Sequence, residues 1–168
     1  MNLPYLNGYP EGTVQQIDTL LQEQKLGPWL LKKYPQAHGL RDDRALFGYM
    51  QELKQDHMKG ATPISKVLYD NKLQLVKNAL GTHTTISRVQ GSRLLAKREI
   101  RIASLFKDTP LEVLRMITVH ELAHLRERDH DKNFYKLCSY MEPDYHPLEF
   151  VVRVYLTYMD TSGQRLWS

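Results

Sequence analysis

The sequence predicts an α+β fold in which a helical N-terminal third and a small sheet flank one central helix. Three observations predict it. Apolar residues recur at helical spacing as far as Met58. The texture turns β-branched and aromatic from Ile64. An apolar helical run, Leu111 to Val119, then leads into the pattern H-E-x-x-H.

The bulk properties agree with a soluble globule. The chain has 168 residues, 42% of them hydrophobic and 25% charged, with a net charge of +4. That length reads as one domain, 1–168, with a helical cover over 1–62 and a core over 63–160. The single cysteine, Cys138, excludes an internal disulfide framework and fits a reducing compartment. It occupies an apolar helical position and reads as a core residue rather than a nucleophile. The first residues show no basic stretch followed by an apolar one, and no apolar run approaches the ~18 residues of a membrane span. A cytoplasmic protein with no membrane partner is expected.

In order along the chain, Glu11 to Gln24 carries Val14, Ile17, Leu20 and Leu21 at helical spacing, and Gly27-Pro28 is expected to break it. A short helical piece, WLLKKY, stops at Pro35. The next helix is capped by Asp42 or Asp43 and carries the stripe Leu46, Phe47, Met50 and Leu53. His38 and His57 stand alone and read as surface histidines. ISKVLYD, from Ile64, reads as a strand. TTISRVQG alternates around Ile86 and Val89, Gly91-Ser92 is expected to turn, and RLLAKREIRIASLF returns as a strand pair or one bent strand. Asp108 or Thr109 caps the central helix, with Pro110 in its first position and Arg128 near its end. KNFYKLCSYM forms a helix begun by Asp131 or Asn133, packed through Phe134 and Leu137. The last helix, HPLEFVVRVYLTYM, buries Phe150, Val151, Val154, Tyr155 and Tyr158, and the tail after Asp160 is expected to be loose.

The chemistry concentrates between His120 and His130, HELAHLRERDH. A shuffled chain with 7 His in 168 residues would show H-E-x-x-H roughly 0.015 times, so composition does not explain it. Residues four apart on a helix share a face, one turn apart. His120 and His124 can therefore reach one ion, and two imidazoles with an open position suit Zn²⁺. Glu121, at the edge of that face, is placed to take a proton from the water that the metal activates. A third ligand is still required. His130 lies beyond the polar stretch RERD, where the chain can turn back. Glu142 and Glu149 are rival ligands from later helices. Asp129, Asp131, Glu142 and Glu149 are also candidates to orient the histidines. His83, Tyr135, Tyr140, Tyr145 and His146 are candidates to stabilise transition-state charge, and the sequence does not choose among them.

On these residues the sequence resembles the YgjP-like metallopeptidase-type domain. The likeness rests on VHELAHLRERDHDKNFY and the preceding IRIASLFKDTPLEVLRMIT. The family shares HELxHL, a third histidine ten residues after the first, and an aromatic residue about four later. Here these fall on His120, Glu121, His124, His130 and Phe134. The likeness runs from about Pro63 to Tyr155 and continues more loosely into the N-terminal segment. It implies a minimal zincin-like fold, one Zn²⁺ on His120, His124 and His130, and Glu121 as base. It also implies a sheet edge along the substrate cleft. Metzincins space their third histidine similarly, but with a glycine at the turn. That position here is Glu127, and no Met-turn follows, so the metzincin reading is rejected.

Two classes of function follow. The first is a zinc hydrolase, with a metallopeptidase as the leading expectation. The resemblance adds nucleotide pyrophosphatase activity on UTP as the alternative. The segment Lys66 to Lys107 lends that alternative weight, with nine Lys or Arg against Asp70 and Glu99. Arg88, Arg93, Lys97, Arg98 and Arg101 are its candidate phosphate contacts, and the extended stretch Thr84 to Gln90 is the candidate peptide contact. The second class, a non-catalytic zinc module associated with nucleic acid, is less favoured. A purely structural zinc site is closed by four ligands and needs no Glu121. Alternating strands also place such basic residues on a solvated face. Neither substrate nor oligomeric state is legible.

Overall fold

The computed structural model describes residues 2–73, 87–92 and 97–167, with 87, 88, 91, 92 and 97 described by their backbone alone. The expected strand residue Ile86 and the candidates His83 and Arg93 lie outside the described residues. Described are helices α1 (Glu11–Gln22), α2 (Leu26–Lys33), α3 (Asp43–His57), α4 (Leu111–Ala123), α5 (Lys132–Met141) and α6 (Tyr145–Ser162). Strands β1 (Ile64–Asp70), β2 (Ser87–Ser92) and β3 (Lys97–Ala103) form one sheet in the order β1-β3-β2. β1 runs parallel to β3 and β2 antiparallel to it. The architecture is α+β, as the sequence predicts.

The sheet presents one apolar face. Ile100 and Ile102 of β3 are fully buried, and they pair with Val67 and Tyr69 of β1, also buried. The alternate residues Glu99 and Arg101 face the other way, as the two-residue period of a strand requires. Arg101 is engaged there by Asp70 at 2.9 Å and Glu99 at 2.6 Å. α3 packs along β1, where Asp42 caps the helix by accepting from the Ala45 amide at 2.7 Å. Asp43, next to it, accepts from the Tyr69 amide at 2.9 Å and so ties helix to strand.

α4 is the centre. Val113, Leu114, Ile117, Val119, Leu122 and Ala123 are fully buried, and the helix packs against α3, α5, α6, β2 and β3. A helix apolar nearly all round is stable only in such a setting. Pro110 is the residue before the helix and not its first position; a 3-10 turn, Ser104–Asp108, leads in.

Several sequence expectations are corrected. The α1–α2 break falls at Glu23–Lys25, where Gln24 takes φ 59°, and not at Gly27-Pro28. Pro28 sits in the first turn of α2, where its missing N–H costs no hydrogen bond. A side chain on Gly27 would meet the Tyr158 ring at 3.1 Å. Gly91 and Ser92 do not turn: they pair with Arg98 and Lys97 and belong to β2. The tail is docked rather than loose. Trp167 is 3% exposed, and its indole N–H donates to the Tyr34 carbonyl at 2.7 Å. His38 is buried rather than on the surface: its Nε2 meets the Phe106 carbonyl at 2.7 Å, and its Nδ1 accepts from the Leu40 amide at 3.0 Å.

Candidate metal centre

The end of α4 builds the site. The helix stops at Ala123, five residues before the expected end, and His124 is its C-cap. The Leu125 and Arg126 amides close tight turns on Leu122 and Ala123, at 3.0 and 3.1 Å. Ring Nδ1 of His124 is 3.0 Å from the Glu127 carbonyl oxygen. This contact holds the turn against the helix end and gives the Glu127 carbonyl, which lies past the helix, a partner. The chain then reverses through Arg128 and Asp129. Asp131 caps α5, accepting from the Phe134 amide at 2.9 Å.

The reversal brings three imidazoles together. Ligand nitrogens of His120, His124 and His130 lie within 4.8 Å of one another, and Nε2 of His124 is 2.9 Å from Nε2 of His130. Three nitrogens around one tetrahedral zinc, each about 2.0–2.1 Å from it, stand about 3.4 Å apart, inside that spread. Phe134, fully buried, floors the cluster. Its ring centroid is 4.9 Å from His120, 4.5 Å from His124 and 4.9 Å from His130.

Burial, reinforced by the neighbouring His124 and His130, holds His120 well below the usual histidine pKa. Burial also lowers His124, opposed by its backbone carbonyl contacts. Both rings are thus kept neutral, the form that binds metal. The donor set suits a metal ion. Glu121 is 1% exposed on α4 between the two helix histidines.

Nδ1 of His120 meets the Tyr145 hydroxyl at 2.8 Å, and that hydroxyl lies 3.5 Å from Glu149 Oε2. Of the carboxylates considered for orienting the histidines, Glu149 therefore approaches His120 through a tyrosine. Asp131 is a helix cap. Glu142 pairs with Arg115 at 3.5 Å and accepts from the Asp144 amide. Asp129 acts on His124 by charge. Among the described residues neither Glu142 nor Glu149 belongs to the ligand cluster. The role of Tyr145 beside His120 escaped sequence reasoning. The signal was the buried stripe of α6, which the sequence placed only from Phe150 onward.

Of the other polar candidates, Tyr135 lies beside the cluster, its ring 6.5 Å from His130 and 5.5 Å from exposed His146. Tyr140 instead meets the His57 ring of α3 edge-to-face. Cys138 is buried, and burial pushes its thiol up to about 12, so it is a core residue and no nucleophile at neutral pH. No described helix is long and apolar enough to cross a membrane.

Comparison with known proteins bears on this centre. A protein of Escherichia coli strain K12 described as UTP pyrophosphatase is 52% identical over 165 residues, spanning 98% of this chain and 99% of its own. No solved structure matches the chain. The family described as YgjP-like, metallopeptidase domain, matches residues 31–150. That span runs from the end of α2 into α6 and takes in all three histidines, Glu121, Phe134, Tyr145 and Glu149, so the chain belongs to the YgjP-like metallopeptidase-domain family.

Proposed function

We propose that this chain is a zinc-dependent nucleotide pyrophosphatase, with His120, His124 and His130 as ligands and Glu121 as general base. One observation carries the choice of substrate: 52% identity, over 98% of the chain, to a protein described as UTP pyrophosphatase. That finding favours the nucleotide alternative over the peptidase expectation. The peptide reading stands second. It is supported by the family's description and by β2, an edge strand of the sheet among the described residues, to which an extended peptide backbone can add.

Zinc at the three imidazoles would supply a Lewis acid toward a phosphoryl oxygen and acidify a water molecule. The chain's own residues do the rest. Burial keeps His120 and His124 neutral and ready to bind. Glu121 takes the proton of the attacking water as its oxygen bonds to the α-phosphorus, and pyrophosphate leaves with the bridging oxygen. Arg101 is already engaged by Asp70 and Glu99, which weakens it as a phosphate contact. Half-exposed Arg98 is the better described candidate. The side chains of Arg88 and Lys97 lie outside the described residues.

The test is the zinc-loaded protein incubated with UTP, with the other nucleoside triphosphates, and with unfolded protein. The expected result is zinc-dependent pyrophosphate release, weakened by salt and by Arg98→Ala through a raised KM. Proteolysis without pyrophosphate release would overturn the nucleotide assignment.

A further inference from the structure

We propose that Tyr145 and Glu149 are positioning residues that fix which nitrogen of His120 faces the ion, through a relay from Nδ1 of His120 to the Tyr145 hydroxyl to the Glu149 carboxylate. The inference rests on the reading of the three histidines as ligands. It adds how one of them is oriented.

Tyr145 is fully buried at the start of α6, and its ring lies nearly parallel to that of His120, at 15°. Glu149 is one helical turn further along α6, so the helix itself sets the spacing of the last two members. A phenol has one proton to give and two acceptor sites. A carboxylate only accepts. The Tyr145 proton therefore points to Glu149, and the hydroxyl turns a lone pair toward His120. Nδ1 of His120 must then carry the hydrogen, and Nε2 presents its lone pair. His124 reaches the same state by another route. Its Nδ1 meets the Glu127 carbonyl, itself only an acceptor, leaving Nε2 toward His130. Both helix histidines are thus held as the Nδ1–H tautomer, whereas free imidazole side chains prefer Nε2–H. The 2.8 Å link from His120 to Tyr145 is the stronger, and the 3.5 Å link to Glu149 the weaker.

The tautomer is read directly by long-range proton–nitrogen correlation on ¹⁵N-labelled, metal-free protein. Wild-type His120 should appear as Nδ1–H, and Tyr145→Phe, which keeps the buried ring, should return it toward Nε2–H. Zinc affinity, measured by chelator competition, should fall about 10- to 100-fold in Tyr145→Phe and less in Glu149→Gln, whose amide oxygen still accepts. The metal-free melting temperature should change little in Glu149→Gln. An Nε2–H tautomer in the wild type would overturn the relay, as would a Tyr145→Phe protein with unchanged tautomer and zinc affinity. The wild-type spectrum needs no variant, so a misfolded Tyr145→Phe would not shield the proposal. Failure of the metal reading shows separately, as a wild type that holds the Nδ1–H tautomer and binds no zinc.

Discussion

Replacing Phe134 tests whether packing holds the histidine cluster in place. The ring is fully buried and stands within 4.9 Å of all three imidazole centroids. Its backbone amide is held by the Asp131 cap at 2.9 Å, and close packing around the buried ring keeps it from swinging to follow a displaced histidine. Phe134→Ala opens a cavity and should cost about 3–5 kcal/mol. Against a typical domain stability of about 5–15 kcal/mol that variant approaches unfolding. Phe134→Leu is the working variant. It keeps most of the apolar bulk and loses the ring contacts, each worth about 0.5–1.5 kcal/mol and not additive. The expected loss is about 1–2 kcal/mol in the metal-free protein, read by urea unfolding at constant slope. Zinc affinity should fall about tenfold, the low end for a missing supporting contact. Unchanged zinc affinity in Phe134→Leu would refute the idea that this ring orients the ligands.

Two further outcomes are expected. His120→Ala and His124→Ala should each abolish tight zinc binding, and His130→Ala should weaken it severely; full affinity in His130→Ala with loss in Glu149→Ala would reassign the third ligand. The metal-free protein should lose stability as the pH falls below about 6.5, because His38, His120 and His124 all have folded pKa values below the unfolded one. The unfolded chain then binds more protons, and stability is full above that pH and declines toward the folded values. Urea unfolding between about pH 5 and 8 measures it, and a flat profile would contradict the burial of these rings.

The spacing of His120, His124 and His130 was legible because helix geometry alone brings the first two together. The polar stretch after them signalled a reversal, though not that the helix stops at Ala123. That stop goes with the Glu127 carbonyl meeting His124, a contact made only after the chain has turned. The other misplacements share this origin. Gly91 and Ser92 carry a turn composition, yet β3 offers them partners. Gly27-Pro28 reads as a breaker, yet Pro28 falls in a first turn that tolerates it. His38 and Trp167 looked solvated or loose because their partners, the Phe106 and Tyr34 carbonyls, lie 68 and 133 residues away. Likewise Tyr145 could be named only as a polar candidate, since its partner is set by how α6 crosses α4. Local pattern reached the three histidines, and tertiary packing supplied what surrounds them.

In the proposed reaction Glu121 moves the proton as pyrophosphate is released at the histidine cluster. The most direct measurement is pyrophosphate release from UTP by wild type and Glu121→Gln, each with its zinc content determined. The variant is expected to keep its zinc and to lose at least about 100-fold in rate, the scale of a missing general base. Full activity would remove Glu121 from the mechanism, and loss of zinc would make it part of the metal's coordination instead.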